Sequence, residues 1–147
     1  MSNTIVIASG YFNPIHTGHL DYLEEAKKLG DQLFVIVNND DQVKVKGTQL
    51  FLSEEDRGRV VQSLECVDQA VISCDLDGAV TDSIGVIWSV FQLSGANFIF
   101  ANGGDQKSGV PEEEFCMRNG IEMVYGVGGE KTQSSSTLLN NVRGKNG

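Results

Sequence analysis

Five short apolar runs alternate along the chain with longer stretches in which apolar residues recur every third or fourth position. The runs are Thr4-Ile5-Val6-Ile7-Ala8, Leu33-Phe34-Val35-Ile36-Val37, Ala70-Val71-Ile72-Ser73, Phe98-Ile99-Phe100-Ala101 and Glu122-Met123-Val124-Tyr125. Such runs are the pattern of strands buried on both faces of a parallel sheet. Between them, Leu20, Leu23, Ala26 and Leu29 mark one helix face, with Gly30 as its stop. Ser53-Glu54-Glu55-Asp56 is a capping-box start for a second helix whose buried stripe is Val60, Val61 and Leu64. Ile84, Ile87, Trp88 and Phe91 predict a third helix ended by Gly95, with Trp88 in the core. Pro111 and the acids Glu112, Glu113 and Glu114, read as a solvated cap, open a fourth that Gly120 closes. A last helix begins near Leu138. The alternation predicts an α/β chain with a doubly wound parallel sheet.

Length and composition narrow this further. The 147 residues, 40% of them hydrophobic, suit one globular domain spanning 1–147. A net charge of −9 opposes nucleic acids and anionic membranes, so neither is expected as a partner. An anionic ligand must therefore be met by a local cluster of positive groups. Three scattered cysteines, a start without a secretory signal and the lack of a window near ~18 apolar residues predict a cytoplasmic protein. The cysteines form no Cys-x-x-Cys pair, which leaves no zinc-site spacing and no predicted metal-ligating residues. Asp75 and Asp77 read as turn and helix-capping acids.

The distinctive chemistry lies between the first strand and the first helix, in Gly10-Tyr11-Phe12-Asn13-Pro14-Ile15-His16-Thr17-Gly18-His19-Leu20. Open α/β sheets place ligands at the carboxyl ends of their strands. A helix start there offers unpaired N–H groups and a positive dipole end, a natural phosphate site. Gly10 and Gly18 would let backbone approach an oxyanion. His16 and His19, the only histidines in the chain, sit at i and i+3 and project to one side.

These residues resemble the His-x-Gly-His signature of the nucleotidyltransferase superfamily, which includes cytidylyltransferases, heptose-phosphate adenylyltransferases and pantetheine-phosphate or nicotinamide mononucleotide adenylyltransferases. The resemblance implies a Rossmann-like five-stranded parallel sheet of order 3-2-1-4-5 with helices on both faces. It implies that His16 and His19 contact the triphosphate, with Gly10, Tyr11, Phe12, Asn13 and Gly18 around the nucleotide. Many members carry aspartate where this chain has Asn13; others have Asn-Pro, as here.

The resemblance continues downstream. Asn38 and Asp40 close the second strand on the same sheet edge as substrate-side residues. Lys44 and Lys46, alternating so that both ammonium groups can point one way, match lysines that hold phosphate in heptose-phosphate adenylyltransferases and glycerol-phosphate cytidylyltransferases; the bland reading is a solvated pair on a loop. Arg57, following an acidic pair, matches an arginine on the substrate side of the pocket, and Arg59 reads as solvent-facing. Asn102-Gly103-Gly104-Asp105 resembles the Gly-Gly-Asp near the base and ribose in heptose-phosphate adenylyltransferases. Ser134, Ser135, Ser136 and Thr137 are similar to a second signature that binds phosphate. There Gln133 replaces a usual glycine, and Lys131 stands about one position from the usual arginine.

The expected activity is transfer of AMP or CMP from ATP or CTP to a phosphorylated sugar or polyol, with pyrophosphate released and Mg2+ bound with the triphosphate. The adenylyl reaction with a heptose-1-phosphate-like acceptor leads, and a glycerol-3-phosphate-type cytidylyltransferase follows. A nucleotide-binding module without catalysis is the alternative from another class. Relatives of this kind are often dimers, so a homodimer is the expected assembly.

Overall fold

The computed structural model describes residues 3–103 and 109–128. Its elements run β1 (Thr4–Gly10), α1 (Thr17–Lys27), β2 (Gln32–Val37), α2 (Asp40–Lys46), α3 (Glu54–Gln62), β3 (Gln69–Ile72), α4 (Thr81–Phe91), β4 (Asn97–Gly103), α5 (Glu113–Arg118) and β5 (Glu122–Val127). The strands form one sheet of order β3-β2-β1-β4-β5 with every pairing parallel. The expected five-stranded architecture is the observed one.

Side chains of a strand alternate faces, and β1 feeds two cores in this way. Val6 and Ala8 join Tyr22, Leu23, Ala26 and Val61 on the side covered by α1 and α3. Ile5 and Ile7 join Ile84, Ile87, Phe100 and Cys116 under α4 and α5. Leu23 is fully buried, and its truncation to alanine is expected to cost about 2–5 kcal/mol. Trp88 is half-buried against the second core rather than enclosed.

Several local expectations change. The face of α1 is Tyr22, Leu23 and Ala26, while Leu29 lies past the helix and is exposed. Gly30 is there for space rather than for a left-handed cap: an added Cβ would sit 2.9 Å from the Thr4 carbonyl oxygen. A short helix follows the end of β2. Asn39 caps the short helix α2 through a reciprocal pair with Gln42, and Gly47 ends it at φ 83°. Glu112 is not solvated either; it is buried, and its carboxylate accepts the Val80 N–H at 2.9 Å. Asp75 does cap: its carboxylate accepts the Asp82 and Ser83 amides at the start of α4. Arg59 is exposed, as expected. Among the described residues, no helix is long and apolar enough to cross a membrane.

Candidate active site

The connection from β1 to α1 is shaped by Phe12. Its ring is buried, its backbone sits at φ 50°, and the ring lies where a Cβ on Gly10 would be, 2.8 Å away. Gly10 thus makes room for a protein ring rather than for an oxyanion. The Asn13–Pro14 peptide bond is cis. Tyr22 fastens α1 to the strand ends: its hydroxyl donates to the Ala101 carbonyl at 2.6 Å and accepts the Ser9 N–H at 3.2 Å. Burial pushes its phenol pKa upward, so it stays a neutral donor.

His16 is the N-cap of α1 and His19 its third residue. The His19 Nδ1 accepts the His16 N–H at 3.0 Å, and the His16 Nδ1 accepts the Gly18 N–H at 3.1 Å. The rings stack with centroids 3.9 Å apart and planes 30° from parallel, and Phe12 meets His19 edge-on at 5.0 Å. A nitrogen that accepts carries no proton, so each neutral imidazole bears its hydrogen on Nε2. Among the described residues nothing bonds to either Nε2. Burial, then the nearby His16, then Lys46 lower the His19 pKa to about 4. His19 is therefore a neutral N–H donor near pH 7.

This differs from the expected anion cradle of helix amides. The Gly18 N–H goes to His16 Nδ1 and the His19 N–H to the His16 carbonyl at 2.9 Å. Among the described residues the ring Nε2–H groups are left without a protein partner. Both rings line a cavity of about 310 Å³ together with Tyr11, Phe12, Asn13, Lys46 and Phe51. Thr48 and Gln49 line it too, and sequence reasoning missed both along with Phe51.

The two lysines separate. Both lie in the last turn of α2, where residues two apart do not share a face. Lys46 Nζ sits 4.3 Å from the centroid of the Tyr11 ring and lines the cavity, whereas Lys44 is exposed and outside that lining. The strand-like alternation expected for the pair is absent because the segment is helical.

The expected substrate-side residues form scaffold instead. Arg57 is fully buried; it donates to the carbonyls of Leu52 (2.9 Å), Tyr11 (2.8 Å) and Asn38 (2.6 Å) and pairs with the Asp40 carboxylate at 2.7 Å. Asn38 is buried with its amide on Gln42 at 3.0 Å. Gln42 continues the network to the carbonyls of Asp77 and Ala79 and to Ser73. With these atoms committed to the protein, Asn38, Asp40 and Arg57 shape the wall of the site. An apolar run near an acidic pair gave no hint that Arg57 would be interior; its four partners come from three separate segments.

Asn102 lies buried at the end of β4 with its amide 3.5 Å from the Val124 carbonyl, next to Gly103. Gly104, Asp105, Lys131, Gln133, Ser134, Ser135, Ser136 and Thr137 lie outside the described residues.

Comparison with known proteins places this geometry. A family model described as cytidylyltransferase-like matches residues 7–130. A FAD synthase of Methanolacinia petrolearia is 32% identical over 137 residues, covering 93% of this chain and 88% of that protein. A FAD synthase of Methanocorpusculum labreanum is 46% identical over 72 residues, covering 49% of this chain and 51% of that protein. The chain thus spans about half the length of several curated relatives it matches. A "Bifunctional protein HldE" of Haemophilus influenzae is 37% identical over 113 residues, 70% of this chain and 24% of that protein. Among solved structures, a lipopolysaccharide core biosynthesis protein from Thermoplasma volcanium superposes with a TM-score of 0.63 at 27% identity, covering 84% of this chain and 96% of that one.

Proposed function

Because the chain belongs to the cytidylyltransferase-like family, we propose that it transfers AMP from ATP to a phosphate-bearing acceptor, FMN first among candidates, and releases pyrophosphate. The observation that carries this reading is the stacked pair His16 and His19, both Nδ1 atoms satisfied by backbone N–H groups and both rings lining one cavity with Lys46. The FMN assignment draws on the relatives named FAD synthase, since FAD is FMN joined through its phosphate to AMP. It takes the place of the heptose or polyol phosphate expected from sequence.

The acceptor's phosphate oxygen attacks the α-phosphorus, a new P–O bond forms, and the bond to the β-phosphate oxygen breaks as pyrophosphate leaves. The protein contributes position and charge neutralisation rather than a covalent intermediate. His16 and His19 donate Nε2–H bonds to the phosphates, preorganised by their Nδ1 partners. Lys46 supplies a point charge on the same wall. Ser134, Ser135, Ser136 and Thr137 are proposed to hold the β- and γ-phosphates, and Asn102 with Gly103 the nucleoside. Among the described residues no group of three or more His, Cys, Asp or Glu side chains is placed to hold a metal ion. Magnesium therefore belongs to this reading as part of the triphosphate substrate, carried on its phosphate oxygens.

The test is pyrophosphate release from ATP or CTP in the presence of FMN, heptose 1-phosphate or glycerol 3-phosphate. ATP with FMN is expected to give the fastest release. Tight triphosphate binding without turnover on any acceptor would make the chain a nucleotide-binding module instead.

A further inference from the structure

Asn13 stands three residues before His16, and its side-chain amide is used from both ends. Its Nδ2 donates to the Gln49 carbonyl at 2.7 Å, and its Oδ1 accepts the Phe51 N–H at 2.8 Å and the Leu52 N–H at 3.4 Å. This is the pairing of one strand residue with a neighbour, made by a single side chain to an irregular segment. The segment 48–52 is held again at its far end, where Leu52 offers its carbonyl to Arg57 at 2.9 Å. An aspartate at position 13 would retain the acceptor but lose the donor, and would set an anion against the Gln49 carbonyl.

The strap so held carries three consecutive large apolar side chains in the open: Leu50 (37% exposed), Phe51 (61%) and Leu52 (36%). Phe51, the most exposed of the three, lines the cavity, and a large apolar side chain left open there offers a ligand surface. Phe51 shares the cavity with Lys46 and Tyr11.

Position says which ligand. With strand order β3-β2-β1-β4-β5, the order of strand addition reverses between β1 and β4, and that crevice is where a nucleotide is expected. The strap lies on the opposite flank of the histidines, because Arg57 ties Leu52 to Asn38 at the end of β2. The face it presents is left for the acceptor.

We infer that Asn13 is a positioning residue for the acceptor: it hangs the 48–52 strap beside the histidines so that Phe51 walls a flat aromatic ring, with the acceptor's phosphate turned toward Lys46. This rests on the transfer reading above for the identity of the acceptor, and its test is binding rather than turnover.

Calorimetric titration of FMN into the full chain, with a non-hydrolysable ATP analogue and magnesium present, compares wild type with Phe51→Ala, Phe51→Tyr and Asn13→Asp. Phe51→Ala is expected to weaken FMN binding roughly tenfold, the scale of a lost ring-stacking contact. Phe51→Tyr should restore it, Asn13→Asp should weaken it at least as much as Phe51→Ala, and the ATP analogue should bind both Phe51 variants within about twofold of wild type. Equal FMN affinity in wild type and Phe51→Ala overturns the inference, as does an equal loss of affinity for the ATP analogue. No FMN binding to wild type also overturns it, while pyrophosphate release with a sugar phosphate would leave the transfer reading intact. FMN binding that depends on Phe51, without pyrophosphate release by wild type, would support the strap and sink the transfer reading.

Discussion

Two cavities on this protein teach opposite lessons about size and chemistry. The larger, about 730 Å³, lies between α1 and β5 and is walled by Asp21, Glu24 and Glu25 together with Leu29 and residues 124–128. The smaller, about 310 Å³, holds His16, His19 and Lys46, with no carboxylate in its lining among the described residues. In a chain of net charge −9, volume does not identify a site for a polyanion. Each unit charge pair at 4 Å is worth about 1 kcal/mol even in water, so three carboxylates argue against a triphosphate in the larger space. The smaller cavity instead presents two imidazoles and one ammonium group.

Arg57 carries the wall of the smaller cavity, and its removal should have the largest effect. Arg57→Ala leaves the Asp40 carboxylate and three carbonyls without their partner. The expected loss is about 3 kcal/mol of stability by urea titration, the low end for a broken buried pair because the Asp40 side chain keeps 28% exposure. A change below about 0.5 kcal/mol, the range of ordinary surface substitutions, would show that the guanidinium is not the tie described here.

On activity, His19→Ala is expected to lower kcat on the order of a hundredfold, as for removal of one oxyanion donor. Neutralising Asp21, Glu24 and Glu25 together should leave the rate within about twofold, because the larger cavity is not where charge develops. Equal damage at both cavities would erase the distinction between them.

The lysines sharpen it further. Lys46→Ala should raise the KM for the triphosphate or the acceptor about tenfold, close to the low end for hydrogen bonds to charged groups, while Lys44→Ala should change it less than twofold. A reversal of that order would contradict the helical placement of the pair.

A separate effect is expected from pH. The folded-state pKa of His19 is lowered to about 4 from an ordinary 6.5, so the unfolded chain binds more protons between those values. Stability from this group is complete above about 6.5 and is lost as pH falls through the window toward about 4. Urea midpoints of wild type minus those of His19→Gln should therefore decline between pH 7 and pH 4. A flat difference would mean that His19 titrates alike in both states.

Much of this was legible in the residue pattern. The apolar runs found all five strands; β1 and β2 show why most plainly, since burial on both faces leaves no choice but apolar residues, while the edge strands β3 and β5 are only half-buried. The histidine motif was local, so both rings could be placed from eleven consecutive residues. Other features depended on partners far apart in sequence. Asn13 meets Gln49 and Phe51 across 36 and 38 positions, and Arg57 meets Tyr11 across 46, distances no local pattern encodes. The short helix α2 was missed for a different reason: seven residues hold too few apolar positions to reveal a period, although Asn39, Gln42 and Gly47 were its caps in plain view. Reading that stretch at the strand period paired Lys44 with Lys46. Glu112 looked solvated because an acid before a helix is usually so, but here it satisfies the Val80 amide in the interior.

The central claim concerns the protons on two rings, and the chain holds only those two histidines. Long-range proton–nitrogen correlation spectra of the imidazoles at neutral pH, recorded while magnesium and ATP are added, address it directly. Both rings should be protonated at Nε2, with Nδ1 as acceptor, and both Nε2 signals should move on saturation. Protonation at Nδ1 in either ring, or Nε2 signals unmoved by saturating nucleotide, would contradict the account.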